Sequence, residues 1–123
     1  MKRLFLGDLC NLTEEEVKKL LVCEYNVKQE EVDNYDILIA YESVGAYGCD
    51  SSSFFLLRHK ETKVLYENHG SHCSCYGFEG QFTPEETSLD YLKSDNFYFC
   101  TGGYDSSGRG NIRKVKDYIA NCL

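Results

Sequence analysis

The first clear pattern of apolar and polar positions is helical and lies in LTEEEVKKLLVCEY. Apolar side chains recur there at helical spacing, at Val17, Leu20, Leu21 and Tyr25. Thr13 is a good N-cap, and Glu16, three residues later, completes a capping box. Leu12 and Val17 fit a hydrophobic staple on either side of that cap. The segment therefore predicts a helix that begins at Thr13 and buries one side.

Three strands are predicted in the middle of the chain. The run YDILIAYESV, Tyr35 to Val44, is densely apolar, which is typical of a central strand. SFFLLRHK and KVLYENH are two further strands, and the polar HKETK between them predicts a hairpin. The polar VKQEEVDNY that precedes the first strand predicts a turn or half-helix.

The second half of the chain predicts two more helices and one strand. In TPEETSLDYLKSD, Thr83 is the N-cap, Pro84 the first helical residue and Glu86 the partner in a capping box. NFYFC is a short aromatic strand. NIRKVKDYIANCL is an amphipathic final helix with Ile112, Val115 and Ile119 on one face. The order α-β-β-β-α-β-α predicts an α+β fold over 1–123: a small antiparallel sheet of three or four strands, with helices packed on one face.

Composition narrows the classes of partner. The chain has 123 residues and a net charge of −7, and residues 1–50 carry 5 basic and 11 acidic side chains, a net of −6. An acidic body argues against direct nucleic-acid binding and suits docking onto a basic protein surface. Neither a signal peptide nor a membrane span is visible, so we expect a soluble protein of a reducing compartment, the cytoplasm.

The segment NHGSHCSCYG concentrates metal-binding side chains. His72, Cys73 and Cys75 supply three zinc-type ligands within four residues. One metal can take all three only if the chain turns there, which the neighbouring Gly and Ser residues permit. The predicted hairpin brings its two open ends together, so Cys49 is the first choice for a fourth ligand. His69 and Asp50 are the substitutes.

Two other interpretations of this segment stay open. The histidines and thiols can share a loop by chance, or a thiol can be catalytic, with His72 as the base of Cys73. Glu79 is then a candidate general base or hydrogen-bonding partner of a zinc ligand. Ligation rich in Cys is more typical of a closed structural zinc site than of a catalytic one.

The sequence GSHCSCYGFEGQFTPEE, Gly70 to Glu86, resembles a group of small phage and prophage proteins. The resemblance continues through TSLDYL and FYFCTGGYD, and backward through DSSSFFLLRHKETKVLYE, so it covers roughly residues 35–106. Within that group the chain is similar to the zinc-containing type II-A anti-CRISPR proteins of streptococcal prophage. The matching motif residues are His72, Cys73 and Cys75.

That resemblance implies an inhibitor and not an enzyme. Such a protein binds the RNA-guided type II effector nuclease in the host cell and keeps target DNA from being loaded, and its Zn²⁺ is structural. The nuclease channel is positively charged, which suits an acidic inhibitor. The predicted contact residues are the acidic ones of the first helix and the turn after it, all expected to be exposed: Glu14, Glu15, Glu16, Glu30, Glu31 and Asp33.

Overall fold

The structure is a computed structural model that describes residues 3–44, 51–72, 77–99 and 108–123, with Val44, His72 and 108–110 described by backbone only. The elements are β1 (Leu4–Gly7), α1 (Glu14–Glu24), α2 (Gln29–Val32), β2 (Tyr35–Val44), β3 (Ser51–His59), β4 (Leu65–His72), β5 (Glu85–Thr87), α3 (Leu89–Leu92) and α4 (Gly108–Cys122). The predicted α+β class is confirmed.

The sheet is larger than predicted and is mixed. Its order is β1-β2-β3-β4-β5, and only the β1–β2 pair is parallel, with Leu4 opposite Ile39. The prediction of a purely antiparallel sheet with three or four strands is therefore wrong. It missed two strands, β1 and β5, and the four residues of β1, LFLG, are too short to show an alternating pattern. The predicted hairpin of β3 and β4 is confirmed.

Helices cover both faces of the sheet, so the prediction of one covered face is also wrong. On one face of the sheet, called the α1 face, Phe55 and Leu57 pack against α1 in one core cluster. On the other, called the α4 face, Phe54 and Leu56 pack against α3 and α4 in a second core cluster. Consecutive apolar residues in β2 and β3 supply both clusters, because successive side chains of a strand point to opposite faces.

A β-bulge in β2 adjusts this alternation. The register shifts between Ile37, opposite Leu57, and Ile39, opposite Leu56. Leu38 and Ile39 consequently both belong to the α4 face, while Ile37 belongs to the α1 face. The bulge thus lets two neighbouring side chains fill the same core.

Helix α1 follows its local sequence closely. The Thr13 hydroxyl accepts a hydrogen bond from the Glu16 N–H, and the Glu16 carboxylate accepts one from the Thr13 N–H, both at 3.2 Å. Val17, Leu21 and Tyr25 are buried on the α1 face. The predicted capping box and buried stripe are therefore confirmed.

The segment after Thr83 departs from prediction. Glu85–Thr87 pairs with β4 as strand β5, and helix α3 begins only after Ser88, whose hydroxyl accepts from the Tyr91 N–H at 3.2 Å. The Thr83 N–H donates instead to the side chain of Asn68 at 2.6 Å. A tertiary contact therefore replaces the local cap.

The aromatic segment NFYFC supplies core residues but no described strand. Phe97 and Phe99 are buried on the α4 face, where both rings pack against Phe54. The final helix is confirmed as α4, with Val115 and Ile119 fully buried.

Candidate functional site

The end of the β3–β4 hairpin positions the Cys- and His-rich motif. Ser51, the first residue of β3, pairs with His72, the last residue of β4. Cys49 precedes Ser51 by two positions in the chain, and Cys73 follows His72 directly. The two segments that carry the predicted ligands are therefore joined in the sequence to the same end of the hairpin. Cys49, Cys73 and Cys75, together with the His72 side chain, lie outside the described residues.

A single side chain, Gln81, joins Ser71 and Gly77. The segment between these two residues, 72–76, is called the motif loop. Its Oε1 accepts a hydrogen bond from the Ser71 N–H at 2.7 Å. Its Nε2 donates to the carbonyl oxygen of Gly77 at 3.3 Å. One amide group thus joins Ser71 to Gly77 and fixes the separation of these two residues.

The buried amide of Asn68 ties the returning chain to β4. Its Nδ2 donates to the carbonyl oxygen of Gln81 at 3.1 Å, and its Oδ1 accepts from the Thr83 N–H at 2.6 Å. Asn68 is fully buried, so these bonds replace the water that its amide loses on folding. The backbone at Gln81 is therefore fixed against β4, and this positions the Gln81 side chain for its two hydrogen bonds.

The returning chain also packs on α1. Phe78 stacks on Tyr25 with ring centroids 4.8 Å apart and planes 4° from parallel. The Gly80 N–H donates to the Tyr25 carbonyl oxygen at 3.3 Å. The base of the motif loop is therefore attached to the sheet by Asn68 and to α1 by Phe78.

A buried polar cluster, which sequence reasoning missed, lies on the α1 face near this end of the sheet. It consists of Glu42, Ser53 and Tyr25, and register places Glu42 opposite Ser53. Among the described residues, Oε2 of Glu42 and the hydroxyls of Ser53 and Tyr25 have no hydrogen bond of good geometry. The signal in the sequence is the carboxylate that interrupts the apolar run ILIAYESV.

Burial perturbs the acid chemistry of this cluster. It raises the pKa of Glu42 to about 7, and the nearby carboxylates of Glu24 and Asp8 add to the effect. Burial also raises the pKa of Tyr25, against a smaller opposing influence of the Ser53 hydroxyl. Glu42 can therefore exchange a proton near neutral pH, which is the property required of a general acid or base.

The predicted acidic contact residues differ in their roles. Glu14, expected to be exposed, has a side chain only 26% exposed. Its Oε2 accepts from the Ile37 N–H at 2.8 Å, so it joins α1 to β2. Glu16 belongs to the capping box, and Asp33 accepts from Nε2 of Gln29 at 3.0 Å. The exposed members that make none of these contacts are Glu15, Glu30 and Glu31.

Three comparisons with known proteins were made. Neither protein-family models, nor curated proteins, nor solved structures match the chain.

Two further findings concern only the described part of the chain. It contains no group of three or more His, Cys, Asp or Glu side chains arranged to hold a metal ion. The substitute ligand His69 lies within it, and its Nε2 is 3.1 Å from Oε1 of Glu67. None of the helices described there is long and apolar enough to cross a bilayer.

Proposed function

We propose that the protein is an inhibitor that binds an RNA-guided type II effector nuclease and prevents target DNA from being loaded. In this proposal it works by protein–protein contact, and a structural Zn²⁺ stabilises the motif loop. The observation that carries the zinc part is the pairing of Ser51 with His72, because it joins both ligand-bearing segments to one end of the hairpin.

The proposed zinc ligands are Cys49, His72, Cys73 and Cys75. Two thiolate-bearing segments and one imidazole are a typical donor set for a closed tetrahedral site. The Gln81 bridge between Ser71 and Gly77 supports this assignment, because a loop of fixed width loses less freedom when it closes on a metal.

Metal analysis tests the zinc site. We expect about one zinc per chain, and chelation should lower the melting temperature, because zinc binding contributes directly to folding. Cys49→Ser and Cys75→Ser should lose the metal. Cys23→Ser and Cys122→Ser are matched controls at exposed, free thiols and should retain it. A metal-free protein with unchanged stability would contradict the zinc proposal.

The proposed nuclease contact is the outer surface of α1 and α2, where Glu15, Glu30 and Glu31 are exposed. Carboxylates on this surface complement a positively charged nucleic-acid channel. Glu14 is excluded from the proposed contact because it bonds to the β2 backbone.

A DNA cleavage assay with several type II nucleases tests the inhibitor proposal. The added protein should reduce cutting, and Glu15→Gln, Glu30→Gln and Glu31→Gln together should weaken inhibition, most strongly at low salt. The control removes three charges from exposed sites elsewhere, by Glu61→Gln, Asp95→Asn and Asp117→Asn. Undiminished DNA cutting with every nuclease would overturn the proposal.

The second candidate is a zinc-dependent or thiol enzyme that acts on a small molecule. The observation that favours it is Glu42, a buried carboxyl whose pKa is raised to about 7 on the same sheet end. X-ray absorption of the zinc-loaded protein separates the two. Four protein ligands support the structural site, whereas three ligands and a water support the enzyme.

A further inference from the structure

A second candidate site lies on the opposite face of the sheet from α1. A cleft of about 590 Å³ occurs where β4, β5 and α3 meet. Glu67, His69, Glu85 and Tyr91 are among its lining residues. The α4 face carries this cleft, because Glu67 pairs with Leu56 and His69 pairs with Phe54.

The cleft has a negative lining. Glu67, Glu85 and Glu86 contribute carboxylates, and neither Lys nor Arg is among the described residues that line it. Glu67 and Glu85 are direct partners across β4 and β5, an arrangement that destabilises a sheet when both residues carry the same charge. Glu67 is also only 8% exposed, which adds a cost of desolvation. A bound cation would offset both costs.

The cleft also has a fixed aromatic side chain. Tyr91 is 41% exposed, yet its ring packs edge-on against Phe97 and its hydroxyl donates to the Asn96 carbonyl oxygen at 3.5 Å. An exposed ring held in this way offers a surface for a cation to stack on.

Two further groups are already oriented at the cleft. His69 lies against the ring of Phe54 and 3.1 Å from Oε1 of Glu67, so both side chains are held in place. Thr87 also lines the cleft, and its buried hydroxyl oxygen has no hydrogen-bond partner among the described residues.

We infer that this cleft binds an arginine side chain of a protein partner. The guanidinium is planar and carries five N–H donors, so it can reach two opposed carboxylates while it stacks on Tyr91. A lysine ammonium lacks the planar shape for this combination. The inference rests on the proposed function only in taking the partner to be a protein.

The test is a two-dimensional NMR titration of the full chain with the tripeptide acetyl-Gly-Arg-Gly-amide. Amide signals of His69 and of residues 85–91 should shift, while those of α2 should not. The matched peptide carries citrulline, which keeps the planar shape and lacks the charge, and it should bind at least about tenfold more weakly. Equal binding of the two peptides, or shifts that map elsewhere, would refute the inference.

Variants give an independent readout. Glu85→Gln removes an exposed carboxylate from the cleft and should lower the affinity for the arginine peptide about tenfold. Glu61→Gln, in the turn between β3 and β4, makes the same charge change at an exposed position outside the cleft and should leave the affinity for the peptide unchanged. Peptide binding without nuclease inhibition would contradict the proposed inhibitor function and support the arginine site. Nuclease inhibition without peptide binding would support the inhibitor function and contradict the arginine site.

Discussion

At the scale of single residues, Glu42 is an ionisable side chain in an almost fully buried position. It occupies a strand whose neighbours Ala40 and Tyr41 are fully buried, and it is itself only 9% exposed. A carboxyl there is more stable as the neutral acid, which is why burial raises its pKa to about 7. The native chain therefore retains a proton that the unfolded chain releases at lower pH.

This residue should make stability depend on pH. Below the ordinary pKa of 4.5 the carboxyl is protonated in both states. Between 4.5 and about 7 only the unfolded chain ionises, so the free energy of unfolding falls as pH rises. Above that range the loss is complete, at about 3 kcal/mol.

Urea unfolding of the native chain and of Glu42→Gln measures this contribution. The stability advantage of the variant should grow from mildly acidic to mildly basic pH, because glutamine cannot ionise. Glu30→Gln serves as the control at an exposed position that does not act on the pKa of Glu42. A difference between Glu42→Gln and the native chain that stays constant with pH would show that Glu42 does not bind the proton.

Two glycines with positive φ provide a second residue-level prediction. Gly7 has φ of +64°, and a Cβ there would lie 2.2 Å from the Glu42 carbonyl oxygen. Gly80 has φ of +76°, with nothing within 4 Å of such a Cβ. Gly80→Ala should cost about 1–2 kcal/mol from backbone strain alone. Gly7→Ala should cost more, because the β1–β2 pair must also move apart, and thermal unfolding of both variants compares them.

At the scale of elements, α1 shows how a local signal and a tertiary contact combine. The capping box starts the helix, and Glu14 in the same turn accepts from the Ile37 N–H at 2.8 Å. Arg3 lies 3.6 Å from that carboxylate. The first turn of α1 is therefore fixed to β2 as well as capped.

Replacing Glu14 should separate these two contributions. Glu14→Ala leaves the N–H of the buried Ile37 without its acceptor, which should cost about 1–3 kcal/mol. Glu15→Ala loses a similar interaction with the helix dipole but no bond to the sheet. Equal destabilisation of the two variants in urea would show that the contact with β2 contributes nothing.

The same elements explain which predictions succeeded. Thr13 and Glu16 form the predicted capping box, whose two hydrogen bonds join residues only three positions apart. Thr83 and Glu86 carry the same local signal, yet the Asn68 amide takes the Thr83 N–H and Glu86 pairs with Tyr66. Pairing between distant segments leaves no trace at helical spacing, so the local pattern predicted the wrong element.

Only part of the candidate site could be predicted from the sequence. The meeting of the hairpin ends followed from the turn at HKETK, because a hairpin fixes its own register. The Gln81 bridge depends on how residues 77–83 return to β4, and the Glu42 cluster depends on where α1 ends against β2 and β3, so neither follows from a local pattern. The assignment of Cys49, Cys73 and Cys75 as ligands remains a prediction.

At the scale of the whole molecule, the two cores lie on opposite faces of one sheet, and strands β2 and β3 contribute side chains to both of them. Both faces of these strands are fully buried, as at Ile37–Tyr41 and Phe54–Leu57. In contrast, β5 is a three-residue edge strand whose first two residues are exposed.

Amide hydrogen exchange should reproduce this layering. Amides that bond between β2 and β3 should exchange slowest, near the rate of global unfolding, and those of β5 much faster. Since both cores depend on the same pair of strands, we expect no state in which one core is lost and the other kept. Two separate exchange classes for Val17 and Val115, one from each core, would contradict this.

The parallel pairing of β1 with β2 has a consequence for biosynthesis. Leu4–Gly7 leaves the ribosome before its partner Ile39–Glu42 does, and the outer side of that partner is completed only by β3. Synthesis therefore exposes the apolar Leu4, Phe5 and Leu6 for the time needed to add several dozen residues, at about 5–20 residues per second. During that interval these three side chains are available to chaperones or to other nascent chains.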